Sequence, residues 1–166
     1  MRKTVAIEES TAIDAALEDV WKVSAHDFEH IDRWDANVRS SQQNGSPKSD
    51  APVGGRVCNM YNGRETVENF VEYDESKHRF AYEITKGLPG FVISARNTWT
   101  HDAASPGKTR LTMNITMQVE GILGTLMQAP MKSQMGKVLR NAQEELKHYI
   151  ETGRPHSRKL KKMKRD

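Results

Sequence analysis

Three polar side chains in strand-like segments have the chemistry that acid–base catalysis or ligand binding requires: Glu68, Tyr82 and Asn97. A carboxyl group in an apolar cavity has a raised pKa and can act as a general acid or base, which makes Glu68 the leading candidate. Tyr82 and Asn97 could hydrogen-bond a carbonyl or a hydroxyl of a ligand. The alternatives are structural: Glu68 could pair with Arg56 across the Asn62-Gly63 hairpin, and the other two could satisfy buried backbone groups or water.

The sequence gives less support for a catalytic nucleophile or a metal site. Cys58 is the only cysteine, which excludes an intramolecular disulfide and a cysteine-cluster metal site, and a buried strand cysteine is usually inert. His26 and His30 are four residues apart and would share a helix face, yet no third ligand follows a known metal-binding spacing. There is no Gly-x-Ser-x-Gly motif, and we expect His101, at the end of a strand, to lie at the surface. We therefore expect no metal and no cofactor.

The element that would shape a binding site is a long amphipathic helix near the C-terminus. Between Gly121 and Thr152, apolar residues recur three or four positions apart, which places them on one helix face. That face includes Met127, Met131 and Met135. The preceding strand alternates polar residues with an apolar set: Leu111, Met113, Ile115, Met117 and Val119. Methionine is unbranched and polarizable, so such a wall can be core filler or can adapt to a ligand of irregular shape.

The predicted elements are one strand, two short helices, six further strands and the long helix. The Asn62-Gly63 pair between strand-like runs predicts a hairpin, and the other short turns predict an antiparallel meander. Asp14 is expected to cap the first short helix, and Pro130 predicts either a kink or a separate short helix over 121–129. The fold class is α+β. A helix with one apolar face must cover the sheet, and the space between a curved sheet and that helix suits a small molecule.

Charge and hydropathy limit the partners. The chain has 166 residues, a mean hydropathy of −0.74 and no apolar run long enough for a transmembrane segment. The N-terminus lacks the apolar region of a signal peptide, so we expect a cytoplasmic protein. Residues 154–166 carry a net charge of +6, whereas the whole chain carries +3 and residues 1–153 therefore −3. We expect this basic tail to be solvated; it lacks aromatic residues for base stacking, which argues against nucleic acid as a partner. The sequence leaves a homodimer open.

Five short segments carry a resemblance to a known family. They are residues 15–21 (AALEDVW), 54–57 (GGRV), 68–75, 107–112 (GKTRLT) and 146–153 (LKHYIETG). In this order they resemble the START-like, Bet v 1-like (SRPBCC) superfamily, and within it the bacterial polyketide cyclase/dehydrase and lipid transport group. The resemblance implies a helix-grip fold, in which a seven-stranded curved antiparallel sheet surrounds a long C-terminal helix and two short helices follow the first strand. It implies one domain over 1–153, followed by a basic tail over 154–166.

If the sheet grips the helix in this way, strand alternation gives the residues that face the cavity. In the fourth strand, Val67, Val71 and Tyr73 form the more apolar face, but the resemblance to plant hormone receptors of this superfamily favours Glu68 and Phe70. We adopt the second alternative. The predicted ligand-binding residues are Cys58, Met60, Phe70, Phe80, Tyr82, Ile84, Phe91, Ile93, Asn97, Trp99, Met113, Ile115, Met117, Met127, Met131 and Met135.

Fold alone does not fix function in this superfamily, which includes hormone receptors, lipid carriers and aromatase/cyclases. The leading interpretation is a protein that binds a hydrophobic or amphipathic small molecule, a lipid or an aromatic polyketide-like compound, between the sheet and the helix. The alternative is an aromatase/cyclase-type enzyme in which Glu68, Tyr82 and Asn97 act on a polyketide-like substrate. A third interpretation is an adaptor that binds nucleic acid or another partner through its tail. Polar groups converging deep in the cavity would favour the enzyme.

Overall fold

The computed structural model describes all 166 residues and contains seven strands and four α-helices. The strands are β1 (Arg2–Ile13), β2 (Val38–Gln43), β3 (Gly55–Met60), β4 (Glu65–Asp74), β5 (Arg79–Lys86), β6 (Val92–Ser105) and β7 (Lys108–Glu120). The helices are α1 (Leu17–Trp21), α2 (Gly121–Leu126), α3 (Gln128–Thr152) and α4 (Ser157–Met163). Between α1 and β2 the chain forms a π-helical turn over Lys22–His26 and a 3-10 segment over Phe28–Arg33, in the region of the two predicted short helices.

All seven strands form one antiparallel sheet in the order β1-β7-β6-β5-β4-β3-β2. Consecutive strands from β2 to β7 are neighbours, joined by short turns except for the longer loop over 44–54 between β2 and β3. Gly63 adopts the positive φ that the tight turn between β3 and β4 requires. β1 pairs with β7 along its whole length, from Arg2 opposite Glu120 to Ile13 opposite Thr109. The sheet is curved around α3, and the predicted α+β helix-grip fold is confirmed.

The main core lies between the sheet and the helices. Twenty-five buried residues form one apolar cluster, with contributions from every strand, from the helical segments after β1 and from α3. Three side chains hold α3 against β1: Gln143 donates to Glu9 O and Lys147 to Ala12 O, both at 2.8 Å, and Arg140 pairs with the Glu9 carboxylate. None of the helices has both the length and the apolar character needed to cross a membrane.

The long C-terminal helix is interrupted before Pro130, as one of the two alternatives predicted. The chain forms the short α2, turns at Met127 and restarts as α3, in which Pro130 is the third residue. The first N–H groups of a helix have no partner within the helix, so proline is tolerated in this first turn. α3 ends at Gly153, whose φ of 71° gives the left-handed conformation common after a helix C-terminus.

The start of α1 differs from the prediction. Its N-cap residue is Ala16, which offers no side-chain acceptor, and Asp14 lies two residues too early to cap the helix. Asp14 instead forms an ion pair with Lys108, with Oδ1 3.1 Å from Nζ. A helix of five residues is therefore held by burial of Val20 and Trp21 rather than by a cap.

The basic tail is an ordered part of the structure, which corrects the expectation of a solvated terminus. Residues Ser157–Met163 form α4, and Lys159 is buried with its Nζ donating to the backbone carbonyl of Val38. Arg158 donates to the buried carboxylate of Glu145 at 2.7 Å, and the second oxygen of Glu145 accepts from the backbone N–H of Ala36 at 2.9 Å. Charged groups thus tie α4 to α3 and to residues 36–38, and the sequence pattern could not show this because their partners are distant in the chain.

Candidate functional site

A cavity of about 180 Å³ lies between α3 and the inner face of the sheet. It is lined by 20 residues, 14 of which are hydrophobic. An apolar cavity of about 150 Å³ in another protein takes one benzene molecule, so this space corresponds to a ligand of roughly one ring. The position is the one that the sequence predicted for a binding site.

Ten of the predicted site residues line this cavity: Cys58, Met60, Glu68, Tyr82, Ile84, Asn97, Trp99, Met113, Ile115 and Met135. The others lie elsewhere: Phe70, Phe80 and Met117 are buried, Phe91, Met127 and Met131 are half-buried, and Ile93 is exposed. The list of predicted ligand-binding residues lacked the segment before and into β2, and it lacked the middle of α3, whose residues do lie on the apolar helix face that the sequence predicts. These lining residues are Ile31, Trp34, Asp35, Asn37, Val38, Val138, Leu139 and Ala142.

The assignment of Ile93 to the inner face is wrong. Ile93 is 42% exposed, whereas its neighbour Val92 is buried. The register of β6 against β7 shifts between Val92 and Ser94, so one extra residue lies in β6 and the alternation reverses there. From Ala95 onward the predicted alternation holds, with Asn97 and Trp99 on the inner face.

In β4 the inner face holds Glu68 and Phe70, as the resemblance had favoured, while Val71 is exposed. Glu68 lies directly opposite Arg56 of β3, and its Oε2 accepts from Arg56 Nε at 2.6 Å. The two strands approach closely because residue 55 is glycine: a Cβ atom there would lie 2.1 Å from the carbonyl oxygen of Glu68. The ion pair considered as an alternative for Glu68 is therefore present.

Arg56 is held on three sides. It is 1% exposed, its Nη1 donates to the carbonyl of Phe28 at 2.8 Å, and its guanidinium carbon lies 3.8 Å from the centre of the Phe28 ring. Burying a guanidinium is costly unless its donors are satisfied and a counter-charge is close. The pairing of Arg56 with Glu68 therefore builds the wall of the cavity, and it occupies one oxygen of the carboxylate proposed from the sequence as an acid or base.

Asp35 is a second buried carboxyl group at the cavity. Burial, reinforced by the negative charge of Glu145, raises its pKa to about 6, although the backbone N–H of Asn37 donates to its Oδ1 at 2.8 Å. Arg56 opposes this rise and Glu68 adds to it. Asp35 titrates near neutral pH and can therefore exchange a proton with a bound molecule. The sequence offered only a weak signal for it, a single acid between Trp34 and Ala36 just before a strand.

Tyr82, Asn97 and Trp99 form the polar part of the cavity on β5 and β6. Asn97 Nδ2 donates to the Tyr82 hydroxyl at 3.0 Å. Burial raises the pKa of Tyr82, so its hydroxyl stays protonated at neutral pH. Asn97 Oδ1 and Trp99 Nε1 are both buried and have no hydrogen-bond partner in the protein. Burial also raises the pKa of the Cys58 thiol to about 12, which leaves it protonated and unreactive.

The histidines are engaged in other contacts. His26 Nε2 lies 2.8 Å from Glu75 and His30 Nε2 lies 3.6 Å from Glu29, so the two rings have separate acidic partners. No group of three or more His, Cys, Asp or Glu side chains is arranged to hold a metal ion. His101 is buried rather than at the surface, which corrects the expectation from the sequence.

A larger cleft of about 340 Å³ lies at the surface, between the helical segments after β1 and the end of α3. Its lining includes Asp19, Lys22, Asp27 and Arg33, which mix both signs of charge. None of the buried groups without a partner lies among its residues. We therefore place the candidate functional site in the smaller interior cavity, where two unpartnered polar groups are found.

A curved antiparallel sheet around a long C-terminal helix, with a cavity between them, defines a START-like, Bet v 1-like protein. The sequence matches the family described as "Polyketide cyclase / dehydrase and lipid transport" over residues 4–151, and the chain belongs to that family. The match ends before α4. None of the curated proteins matches this chain.

Similar solved structures share the fold. A START superfamily protein from Mycobacterium smegmatis aligns with a TM-score of 0.71 and 14% identity, over 89% of this chain and 97% of its own. A point mutant of norcoclaurine synthase from Thalictrum flavum, in complex with a transition-state analogue, aligns with a TM-score of 0.70 and 13% identity. The alignment covers 90% of this chain and 96% of the synthase. A protein from Thermobifida fusca aligns with a TM-score of 0.67 and 22% identity, over 91% and 97%. At these identities the likeness concerns the fold alone.

Proposed function

We propose that this protein binds a hydrophobic or amphipathic small molecule in the cavity between the sheet and α3. The observation that carries this proposal is the cavity itself, in which an apolar lining surrounds a few polar groups. This combination is typical of small-molecule sites, where apolar contacts supply affinity and polar groups fix orientation. The family description, which includes lipid transport, is consistent with it.

The volume of the cavity favours a compact ligand. A long-chain lipid or a multi-ring polyketide would need more than about 180 Å³, so side chains in the lining would have to move. Met60, Met113 and Met135 are suited to this because methionine changes rotamer at low cost. A larger ligand is therefore compatible with the proposal only if these side chains are displaced when it binds.

Catalysis in the same cavity is a second candidate function, and the titration of Asp35 favours it. Glu68, Tyr82 and Asn97 remain candidate residues, but Glu68 is engaged by Arg56. The pKa of Asp35, raised to about 6, suits proton transfer near neutral pH, so we assign the acid–base role to Asp35. Tyr82, which keeps its proton, would donate a hydrogen bond to a carbonyl oxygen.

Native mass spectrometry of the protein from its own host tests the binding function, followed by extraction and identification of any bound molecule. A stoichiometric lipid or aromatic compound supports the proposal, and thermal-shift screening then ranks related compounds. The variant Ala142→Leu adds a larger side chain to the cavity wall and should weaken binding at least about tenfold if the cavity is the site. Ala129→Leu, at an exposed position in the first turn of the same helix, is the matched control. Equal binding by both variants would place the ligand elsewhere.

A further inference from the structure

We propose that the molecule bound in the cavity is a neutral compound of about one ring that carries a hydroxyl group, and that Asn97 and Trp99 bind this hydroxyl. The inference rests on the proposed binding function and narrows it to a class of ligand. Its starting point is a pair of buried polar atoms that the protein leaves without partners, Asn97 Oδ1 and Trp99 Nε1.

Both residues are almost fully buried, at 4% and 3% exposure, and both line the same cavity. A buried polar group without a partner is rare, because its lost hydrogen bonds to water are not replaced. Asn97 and Trp99 are two positions apart on one face of β6, so their Cα atoms lie about 7 Å apart. Neither atom is accessible as the side chains stand, so a ligand oxygen reaches them only if Asn97 and Trp99 turn toward the cavity when it binds. One oxygen that forms hydrogen bonds of about 3 Å in each direction would then bridge the two side chains.

A hydroxyl is the group that satisfies both atoms. Trp99 Nε1 can only donate, so it requires an acceptor, whereas Asn97 Oδ1 can only accept, so it requires a donor. A carbonyl would satisfy Trp99 alone and an ammonium would satisfy Asn97 alone. The Asn97 amide donates through Nδ2 to the Tyr82 hydroxyl, and this orientation leaves Oδ1 as the atom that needs a donor, which excludes a carbonyl as its partner.

The charges around the cavity favour a neutral ligand. Two carboxyl groups, those of Asp35 and Glu68, line it, and an anionic ligand would meet both. The one cation that lines the cavity, Arg56, already pairs with Glu68 and donates to a backbone carbonyl. A cationic ligand would have to lose its hydration in a mainly apolar space, where Asp35 is the one carboxyl group not already paired with a cation.

The remaining lining and the volume set the size. Ile84, Ile115 and Leu139 present apolar surface, and about 180 Å³ is close to the space that takes a benzene molecule in other proteins. A phenol or a cyclic alcohol of one ring fits both conditions. The ring would fill the apolar part of the cavity, and the hydroxyl would supply the two missing hydrogen bonds.

The test compares two probes of nearly equal shape, p-cresol and p-xylene, in which a hydroxyl replaces a methyl group. Dissociation constants are measured by NMR titration of the full chain, in the wild type and in Trp99→Phe and Asn97→Leu. Thr98→Val is the matched control, because Thr98 lies on the same strand but not in the cavity. We expect the wild type to bind p-cresol at least about tenfold more tightly than p-xylene.

This preference should fall to about twofold or less in Trp99→Phe and in Asn97→Leu, and it should be unchanged in Thr98→Val. Having two variants keeps the test decisive if Trp99→Phe fails to fold. Equal binding of both probes by the wild type would overturn the hydroxyl assignment and leave the proposed binding function intact. If neither probe binds, the inference on ligand size is overturned, and a larger molecule found by native mass spectrometry would still support the binding function.

Discussion

Two buried polar regions lie side by side on β6 and differ in how completely their hydrogen bonds are made. Asn97 and Trp99 face the cavity and keep one unpartnered polar atom each. His101, the next inward residue, has both ring nitrogens engaged: Nδ1 lies 2.9 Å from the carbonyl oxygen of His78 and Nε2 lies 2.8 Å from Ser24 Oγ. We call the first region the cavity region and the second the His101 cluster.

The His101 cluster has the geometry of a nucleophile and its base, but neither Ser24 nor His101 lines the interior cavity or the surface cleft. Burial lowers the pKa of His101 to about 4, so the ring is neutral at pH 7 and Nδ1–H donates to His78 O. Nε2 and the Val20 carbonyl oxygen both lie 2.8 Å from Ser24 Oγ and compete for its single hydrogen. Trp21 packs edge-on against the ring at 5.1 Å, and Ser24 and His101 are both buried. Trp21 Nε1 also lacks a partner, so what separates the two regions is the cavity that borders Asn97 and Trp99, and this makes the cavity region the functional candidate.

The largest expected effect concerns Arg56 of β3, which lines the same cavity as Asn97 and Trp99 but whose hydrogen bonds are made. In Arg56→Met, Glu68, whose side chain is 12% exposed, would lose its counter-charge in a largely desolvated position, and we expect the free energy of unfolding to fall by about 3 kcal/mol. Urea denaturation measures this value. The double variant Arg56→Met/Glu68→Leu should recover most of the loss. A loss below about 1 kcal/mol in the single variant would mean that this pair is not structural and that Glu68 is free to act on a ligand.

The pH dependence of stability should separate the two regions. The folded-state pKa of Asp35, about 6, exceeds its ordinary 3.8, so Asp35 stabilises the fold most at low pH and this contribution declines as the pH rises to about 6. The folded-state pKa of His101, about 4, lies below its ordinary 6.5, so its contribution is lost as the pH falls from about 6.5 to 4. Each residue contributes about 3 kcal/mol to the free energy of unfolding, and between about pH 4 and 6 the two contributions change in opposite directions.

Single variants should therefore reveal each slope. Relative to the wild type, Asp35→Asn should gain stability as the pH rises from 4 to 6, and His101→Gln should lose stability over the same range. Urea denaturation at pH 4, 5, 6 and 7 gives the free energy of unfolding of each variant. The double variant is the control: because the two contributions oppose each other, its difference from the wild type should change little with pH. Two parallel single-variant curves would show that these groups do not titrate differently in the folded and unfolded chains.

The smallest expected effects come from removing one polar group in each region. Ser24→Ala leaves Nε2 of His101 buried without a partner and should lower the free energy of unfolding by about 1–3 kcal/mol. Asn97→Leu removes an acceptor that is already unpartnered and leaves only the Tyr82 hydroxyl, which borders the cavity, without its partner, so it should lower the free energy of unfolding by less, by about 1 kcal/mol. Thermal and urea unfolding of both variants check this order. The reverse order would contradict the distinction between the two regions.

The sequence predicted the architecture well because local patterns carry it. Alternation along β7, the Asn62-Gly63 turn and the apolar face of α3 correspond to elements in the structure. The bulge at Ile93 was missed because an extra residue in a strand leaves no compositional trace. His101 and Lys159 were misplaced for a different reason, since their burial depends on partners at Ser24 and Val38 that are far away in the chain.

The candidate site was predicted in part. The strand residues that line the cavity follow from period-two alternation, and ten of the predicted residues are found there. Asp35 was not singled out, because its raised pKa arises from burial and from Glu145, a residue of α3. A single sequence shows which residues can titrate near neutral pH only when the fold that buries them is known.

The pairing of β1 with β7 has a consequence for how the protein is made on the ribosome. β1 is synthesised first, but its hydrogen-bonding partner begins only at Lys108. At roughly 5–20 residues per second, a twelve-residue strand would wait about 5–20 s with an unpaired edge. Strands β2 to β7 can pair in order as they emerge from the ribosome. The strand that is made before them, β1, is therefore the last to join the sheet.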